Sequence, residues 1–216
     1  MKKLDYKKKF KNLYQPKSQP ELINVPEMQF IQIDGQGNPN EENGEYQTSV
    51  EILYALSYTI KMLPKKGYEL PNYFEYVVPP LEGLWWLADS DKFDYSSKSK
   101  FHWTSMIRQP EFVTNQVFTT ACEIISKKKP HLNIYLSKAR LISFTEGLCV
   151  QCMHYGSFDD EPITLEKIKK FIFDNDLQCD LSDTRHHHEI YLSDPRKVNA
   201  VKMKTVLRYP VKRGAI

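Results

Sequence analysis

The chain has 216 residues, 41% of them hydrophobic and 26% charged, with a formal net charge of +3. A chain of this length buries roughly 70% of its unfolded surface without disulfide or metal staples, and its composition is that of a globular protein, not a disordered one. The charge is too small for a binder of phosphate backbones, so direct nucleic-acid binding is not expected.

Lys2, Lys3, Lys7, Lys8, Lys9 and Lys11 crowd the start of the chain. Residues 1–26 therefore read as a basic lead-in, a solvated amphipathic helix whose apolar contacts are Leu4, Phe10, Leu13 and Tyr14, followed by extended chain from Gln19 to Pro26. Met28 to Asp34 alternates as a strand, and the G-Q-G-N-P that follows breaks it. The capping box Thr48-Ser49-Val50-Glu51 predicts a helix start, and Ile52, Leu53, Leu56, Ile60 and Leu63 give that helix its stripe. Phe74 to Val78 and Pro79 to Trp86 read as extended pieces, Asp89 to Lys100 as a loop, Phe101 to Arg108 as a strand and Val117 to Lys128 as a helix. In the second half, Leu148 to Tyr155 is a strand. Pro162 opens a helix behind Asp159-Asp160-Glu161, the charge a helix N-terminus favours. His188 to Leu192 is a strand, Val198 to Leu207 a helix, and Tyr209 to Lys212 a closing strand.

The halves overlay at two places. Ile33 to Pro39 faces His154 to Asp160, with Gly35 on Gly156, and Trp103 to Pro110 faces His188 to Pro195. The expected architecture is α+β. Residues 27–216 form one domain of two pseudo-repeats, about 27–130 and 131–216, each strand–helix–strand–strand. Together they make a mostly antiparallel sheet with helices on one face and a central cleft, expected on the other face, where pockets favour an interface between halves.

Cys149 and Cys152 form a C-x-x-C without a second ligand pair, so buried free thiols are expected in place of a zinc site. Gly35 and Gly37 lack the third glycine of a dinucleotide loop. No signal peptide and no apolar run long enough to span a bilayer is seen, so the cytoplasm is the expected location and no membrane partner is expected.

The stretch R-H-H-H-E-I-Y-L-S-D-P-R, Arg185 to Arg196, carries the chemistry. On a strand, Glu189 and Tyr191 share one face, and His188, Ile190 and Leu192 the other. With the Ile/Leu face packed on helices, Glu189 and Tyr191 face the cleft. By the repeat, Thr104 and Met106 face it too, while alternation puts Trp103 on the helix face. His186 and His188 lack a third ligand beside them, so no metal is expected, and the histidines read as a half-exposed strand entry. A carboxylate between Ile190 and an aromatic cleft is partly desolvated, which suits a general base. Glu82, in L-E-G-L-W-W, is a second candidate carboxylate.

H-H-E-I-Y-L-S-D-P-R, Y-V-V-P-P-L-E-G-L-W-W, W-T-S-M-I-R-Q-P-E-F-V-T and E-G-L-C-V-Q-C-M-H-Y-G-S-F-D-D-E-P together resemble the GyrI-like (gyrase-inhibitor-like) small-molecule-binding family over nearly the whole chain. The resemblance implies a duplicated fold with a central cleft. Some members of that family sense cationic aromatic drugs through a cleft glutamate. Standalone members, which this chain resembles in its N-terminal lead and its W-W and W-T-x-M motifs, hydrolyse cyclopropane-bearing DNA-alkylating compounds. Carried onto this sequence, Glu189 is the general base and Tyr76, Tyr191 or His154 donates to the substrate oxygen. Trp103, Thr104, Met106, Trp86, Glu82 and Phe158 are ligand contacts. The expected partner is an aromatic or hydrophobic small molecule, with no cofactor. The alternative is a non-catalytic module that sequesters cationic aromatics by charge and cation–π attraction. A transcription regulator is not expected, because the roughly 26 residues before the first predicted strand cannot hold a helix-turn-helix domain.

Overall fold

The computed structural model describes residues 3–87 and 98–214. Its long alternating segments become strands β1 (Glu21–Gln36), β2 (Leu81–Leu87), β3 (Phe101–Arg108), β4 (Arg140–Tyr155), β5 (Leu177–Cys179), β6 (His187–Tyr191) and β7 (Lys204–Arg213). Its amphipathic segments become α1 (Tyr6–Lys9), α2 (Lys11–Tyr14), α3 (Glu45–Met62), α4 (Asn115–Lys128), α5 (Asn133–Leu136) and α6 (Glu161–Asp174). All strand pairs are antiparallel, in the order β4-β1-β3-β2-β6-β7-β5. Because β4 also pairs with β7, the sheet closes into a barrel-like ring.

Each half runs strand–helix–strand–strand: β1, α3, β2, β3, then β4, α6, β6, β7. The fold is the expected α+β duplication, with one correction to the overlay. The halves meet where β1 pairs β4 and β2 pairs β6, and β3 lies beside β1 as β7 lies beside β4. The counterpart of β6 is therefore β2, not the Trp103 strand.

Other boundaries moved for identifiable reasons. The expected helix at Val198–Leu207 is a single 3-10 turn, Ala200–Lys202, and then β7. Val206 and Leu207 find partners in β4 and β6, whereas Val201 is 74% exposed and offers no helix face to bury. α3 begins at Glu45 behind Gly44, one turn before the capping box, and Thr48 Oγ1 bonds back to the Gly44 carbonyl inside the helix. Phe74–Val78 forms no strand, only a bridge from Tyr76 to Leu4. The loop expected at Asp89–Lys100 lies mostly outside the described residues, and its last three form a 3-10 turn.

Closure decides which face is which. α3 buries Ile52, Leu53, Leu56 and Ile60 in the main core, outside β1 and β3. α6 buries Leu165, Ile168 and Ile172 in a second cluster with Val150, Cys152 and Leu207. Cys149 and Cys152 are buried free thiols. The opposite face of the sheet turns inward on itself. α1 and α2 lie against it and bury Tyr6, Leu13 and Tyr14 in the main core, with the lysines outward.

That inward face holds a chain of charges. His188 places Nε2 3.0 Å from Glu82 Oε2 and Nδ1 3.0 Å from Glu146 Oε2. Arg208 donates to Glu146 Oε2 at 2.7 Å, to Gln151 Oε1 at 3.1 Å and to the Leu13 carbonyl at 2.9 Å. Tyr14 donates to Glu82 Oε1 at 3.2 Å. Two carboxylates thus meet an arginine and an imidazole whose nitrogens both face carboxylates, the arrangement of a charged imidazolium. Burial alone would strip His188 of its proton, but the Glu146 charge and the hydrogen bonds to Glu146 and Glu82 outweigh it and push the group up to about 9. Burial likewise opposes charge on Glu146, yet Arg208 and His188 hold it down at about 2.

These shifts set a pH dependence of stability. His188, raised above its ordinary 6.5, contributes fully below that pH, and the contribution is lost as pH rises through about 9. Glu146, lowered from 4.5, contributes above that pH, and the contribution is lost as pH falls through about 2. Urea unfolding midpoints are expected to decline from pH 6.5 to pH 9 and beyond, and His188→Gln is expected to flatten that alkaline limb. An alkaline limb of equal slope in the variant would place the titration elsewhere.

Among the described residues, no helix is long and apolar enough to cross a membrane.

Candidate functional site

A pocket of about 1160 Å³ opens between α3 and the turn that leads into α6. Its floor is the outer face of β2 and β6. Because side chains alternate, His187, Glu189 and Tyr191 share this face, and their β2 neighbours Gly83 and Trp85 share it as well. Glu189, 6% exposed, is held at both oxygens. Tyr191 donates its hydroxyl proton to Oε2 at 2.8 Å, and His187 Nε2 lies 3.2 Å from Oε1. Trp85 Nε1 donates to the Tyr191 oxygen at 2.8 Å. Burial, and then the Glu189 charge, push Tyr191 far up, so its phenol stays protonated.

Gly83 makes room for this relay. A Cβ there would stand 2.7 Å from Trp85 Nε1 and 3.1 Å from the Tyr191 hydroxyl. The indole is rigid, so Gly83→Ala is expected to break the Trp85–Tyr191 bond and cost about 1–3 kcal/mol in stability. Calorimetry would measure the loss, and an unchanged unfolding midpoint would mean that the floor yields easily.

The second carboxylate of the floor comes from the other side. Glu161, 1% exposed, is the first residue of α6 and lines the pocket with Glu189. One donor atom each from Glu161, His187 and Glu189 lie within 4.8 Å of one another. This corner can hold a water between carboxylates, and its donor set would also accept a divalent cation. The walls are aromatic: Tyr46, Tyr54 and Tyr58 from α3, Phe101 from β3, and Phe158, whose ring meets Tyr191 edge-on at 5.7 Å.

Residues 18–212 match the GyrI-like small molecule binding domain. The chain belongs to the GyrI-like family. A hydrolase from Listeria innocua shares 46% identity and a TM-score of 0.87, over 97% of this chain and 100% of that one. An uncharacterized conserved protein from Listeria innocua shares 48% identity and a TM-score of 0.91, again over 97% and 100%. The EcmrR C-terminal domain, 11% identical with a TM-score of 0.57 over 90% of this chain and 98% of that one, shows the fold alone. No curated protein matches the chain.

Within this GyrI-like fold the residues singled out from sequence separate. Glu189, Tyr191 and Phe158 line the pocket. Trp103 lies on the same face, as alternation required, but beneath Tyr46, whose ring centroid is 5.2 Å away, and is itself fully buried. His154 is buried just behind the pocket wall, with Nδ1 2.9 Å from Thr164 Oγ1 and Nε2 2.9 Å from the carbonyl of pocket-lining Ser157. Both ring nitrogens are engaged, so His154 braces the turn carrying Phe158 and Glu161. Tyr76 sits in a separate aromatic cluster with Phe74 and Phe112.

Thr104, Met106, Glu82 and Trp86 lie on the other face of the sheet. Thr104 donates to Asp34 at 2.7 Å, Met106 accepts from Gln32, Glu82 belongs to the His188 network, and Trp86 stacks on His186 at 4.1 Å. The expectation that Thr104 and Met106 face the cleft is corrected, as is the cleft's placement opposite the helices. The cleft lies between helices, and the Ile190 face is the barrel interior. Of the three histidines only His186, just before β6, is the half-exposed strand entry expected; His187 and His188 are each 1% exposed. His187, Trp85, Glu161 and Tyr46 were missed. The period that found Glu189 also selects His187. The acidic run before Pro162 flagged Glu161 only as a helix start, and nothing local marked Tyr46.

Proposed function

We propose that this pocket binds flat aromatic small molecules and hydrolyses those that carry an electrophilic cyclopropane conjugated to a dienone. One observation carries the reading: Glu189 lies buried on the pocket floor, oriented at both oxygens, with Glu161 close enough to hold a water between them. The description of a close relative as a hydrolase supports it. In the step, Glu189 removes a proton from the water as its oxygen bonds to the cyclopropane methylene. The ring C–C bond breaks, and its electron pair flows into the dienone to leave a phenolate, which takes up a proton. Of the three donors expected for that oxygen, Tyr191 lines the pocket but gives its proton to Glu189. Lys98, at the rim, supplies a cationic donor in the same pocket. The aromatic walls hold the substrate plane and exclude water from the developing charge.

The test is incubation with a cyclopropane-dienone alkylator and mass spectrometry of the water-added product. Product above the protein-free rate is expected, and none would remove the reading. A second reading, sequestration of aromatic cations, is favoured by the same two carboxylates within ring walls. It expects saturable binding of cationic dyes with no product.

A further inference from the structure

The pocket is long, and its two ends differ in charge. Tyr46 lines one end, with its ring centroid 5.3 Å from that of Trp85, which reaches Glu189 through Tyr191. Tyr54 and Tyr58, stacked with centroids 6.3 Å apart, line the pocket further along α3. At 1.5 Å per residue, Tyr58 stands roughly 18 Å along the helix from Tyr46. The sheet gives a second measure. Gly83 pairs with Glu189, and Pro79, also in the lining, comes four residues earlier, at most about 14 Å away.

The N-terminal lead-in closes this far end. Leu4 bridges Tyr76 in parallel, donating its amide to the Glu75 carbonyl and accepting the Val77 amide on its own. Residues 4–7 therefore run beside 76–79, and Lys7 joins Val78 and Pro79 in the pocket lining. The Lys61 ammonium lies 5.8 Å from the Tyr58 ring centre and 5.9 Å from that of Tyr76, so helix and lead-in meet here.

Among the described residues, three cations line the pocket: Lys7, Lys98 and Arg196. Lys98 is paired with Asp159, and Arg196 with Asp194. Lys7 has no such partner, because the neighbouring Asp5 carboxylate caps α1 and pairs with Lys8. Lys61 adds to the positive field. Burial, and then the charge of Lys3, hold it below its ordinary value despite Glu75. The opposite end carries the buried carboxylates Glu161 and Glu189. A ligand that fills the pocket meets proton acceptors at one end and an unpaired ammonium at the other.

We propose that the far end is a subsite for a carboxylate, read by Lys7. The preferred substrates are then elongated aromatics that carry this group roughly 14–18 Å from the electrophilic carbon. The inference deepens the hydrolase reading and rests on it for the position of the reacting carbon. One ammonium balances one negative charge, so a carboxylate fits better than a phosphate dianion. The stacked rings of Tyr54 and Tyr58 offer a face to the aromatic arm between the two ends. Attraction at Lys7 acts equally on substrate and transition state, because the reacting carbon is far away. It therefore falls on KM and leaves kcat alone.

The experiment uses two cyclopropane-dienone probes that share one biaryl arm, ending in a carboxylate or in its primary amide. Their ring-opened phenol analogues cannot react, so they report binding alone, through tryptophan fluorescence at low salt. The carboxylate phenol is expected to bind about fivefold more tightly than the amide. Lys7→Gln is expected to erase that ratio, and Lys7→Glu to invert it. A merely structural role for Lys7 would weaken both ligands alike and leave the ratio in place. Equal affinity of the wild type for both phenols, or a ratio that survives Lys7→Gln, overturns the subsite. A carboxylate preference in binding with no turnover of either dienone keeps the subsite and removes the hydrolysis. Turnover of both dienones at one kcat/KM removes the subsite and keeps the hydrolysis.

Discussion

Glu189→Gln is expected to abolish turnover of the cyclopropane probe, by about 1000-fold or more, while leaving its dissociation constant within a few-fold. The substitution is isosteric, and the amide oxygen still accepts from Tyr191, so the floor keeps its shape. What disappears is the ability to take a proton. A neutral substrate loses no charge partner in the ground state, so the effect falls on kcat and not on KM. Cationic dyes behave differently. If the pocket only sequesters, the same substitution weakens their binding and changes nothing else. Single-turnover kinetics on the cyclopropane probe, set beside dye titration, separates the two readings. Wild-type turnover by the variant would exclude Glu189 as the base.

Arg208→Met is expected to destabilise the protein by about 3–5 kcal/mol, the usual cost of leaving one partner of a buried ion pair behind. Arg208 is fully buried, and its removal leaves the Gln151 Oε1 atom and the Leu13 carbonyl without this donor and Glu146 with His188 alone. A domain has only about 5–15 kcal/mol of stability, so the loss is a large fraction of it. The Leu13 contact ties α2 to β7, so the lead-in is expected to become the first target of limited proteolysis. Adding Glu146→Gln should recover part of the loss, because it removes the charge left uncompensated. Urea unfolding of the single and double variants measures both effects. A single-variant loss under about 0.5 kcal/mol, the size of an ordinary surface change, would mean that water reaches the network.

The two predictions meet at β6, on its opposite sides. Glu189 faces the pocket, while His188, one residue away, joins the network that Arg208 anchors. The split was legible in the letters, since period-two alternation separates His188 from Glu189 wherever the strand lies. Alternation also placed Trp103 with the helices and bounded β3 correctly. The repeated order of elements gave the fold class.

The sequence by itself determined which residues share a face, because the pleat is local and its period is fixed. The tertiary structure decided which face is open, because ring closure by β4 and β7 is a pairing across the whole chain that no local pattern encodes. Closure drew Glu82, Met106 and Thr104 to the side away from the pocket. It left the cleft to form where α3 and the α6 turn diverge, and there it joined Glu161 and Tyr46 to Glu189 from segments far apart in sequence. Periodicity orders neighbours along a strand, and only packing between elements brings a second carboxylate to the first.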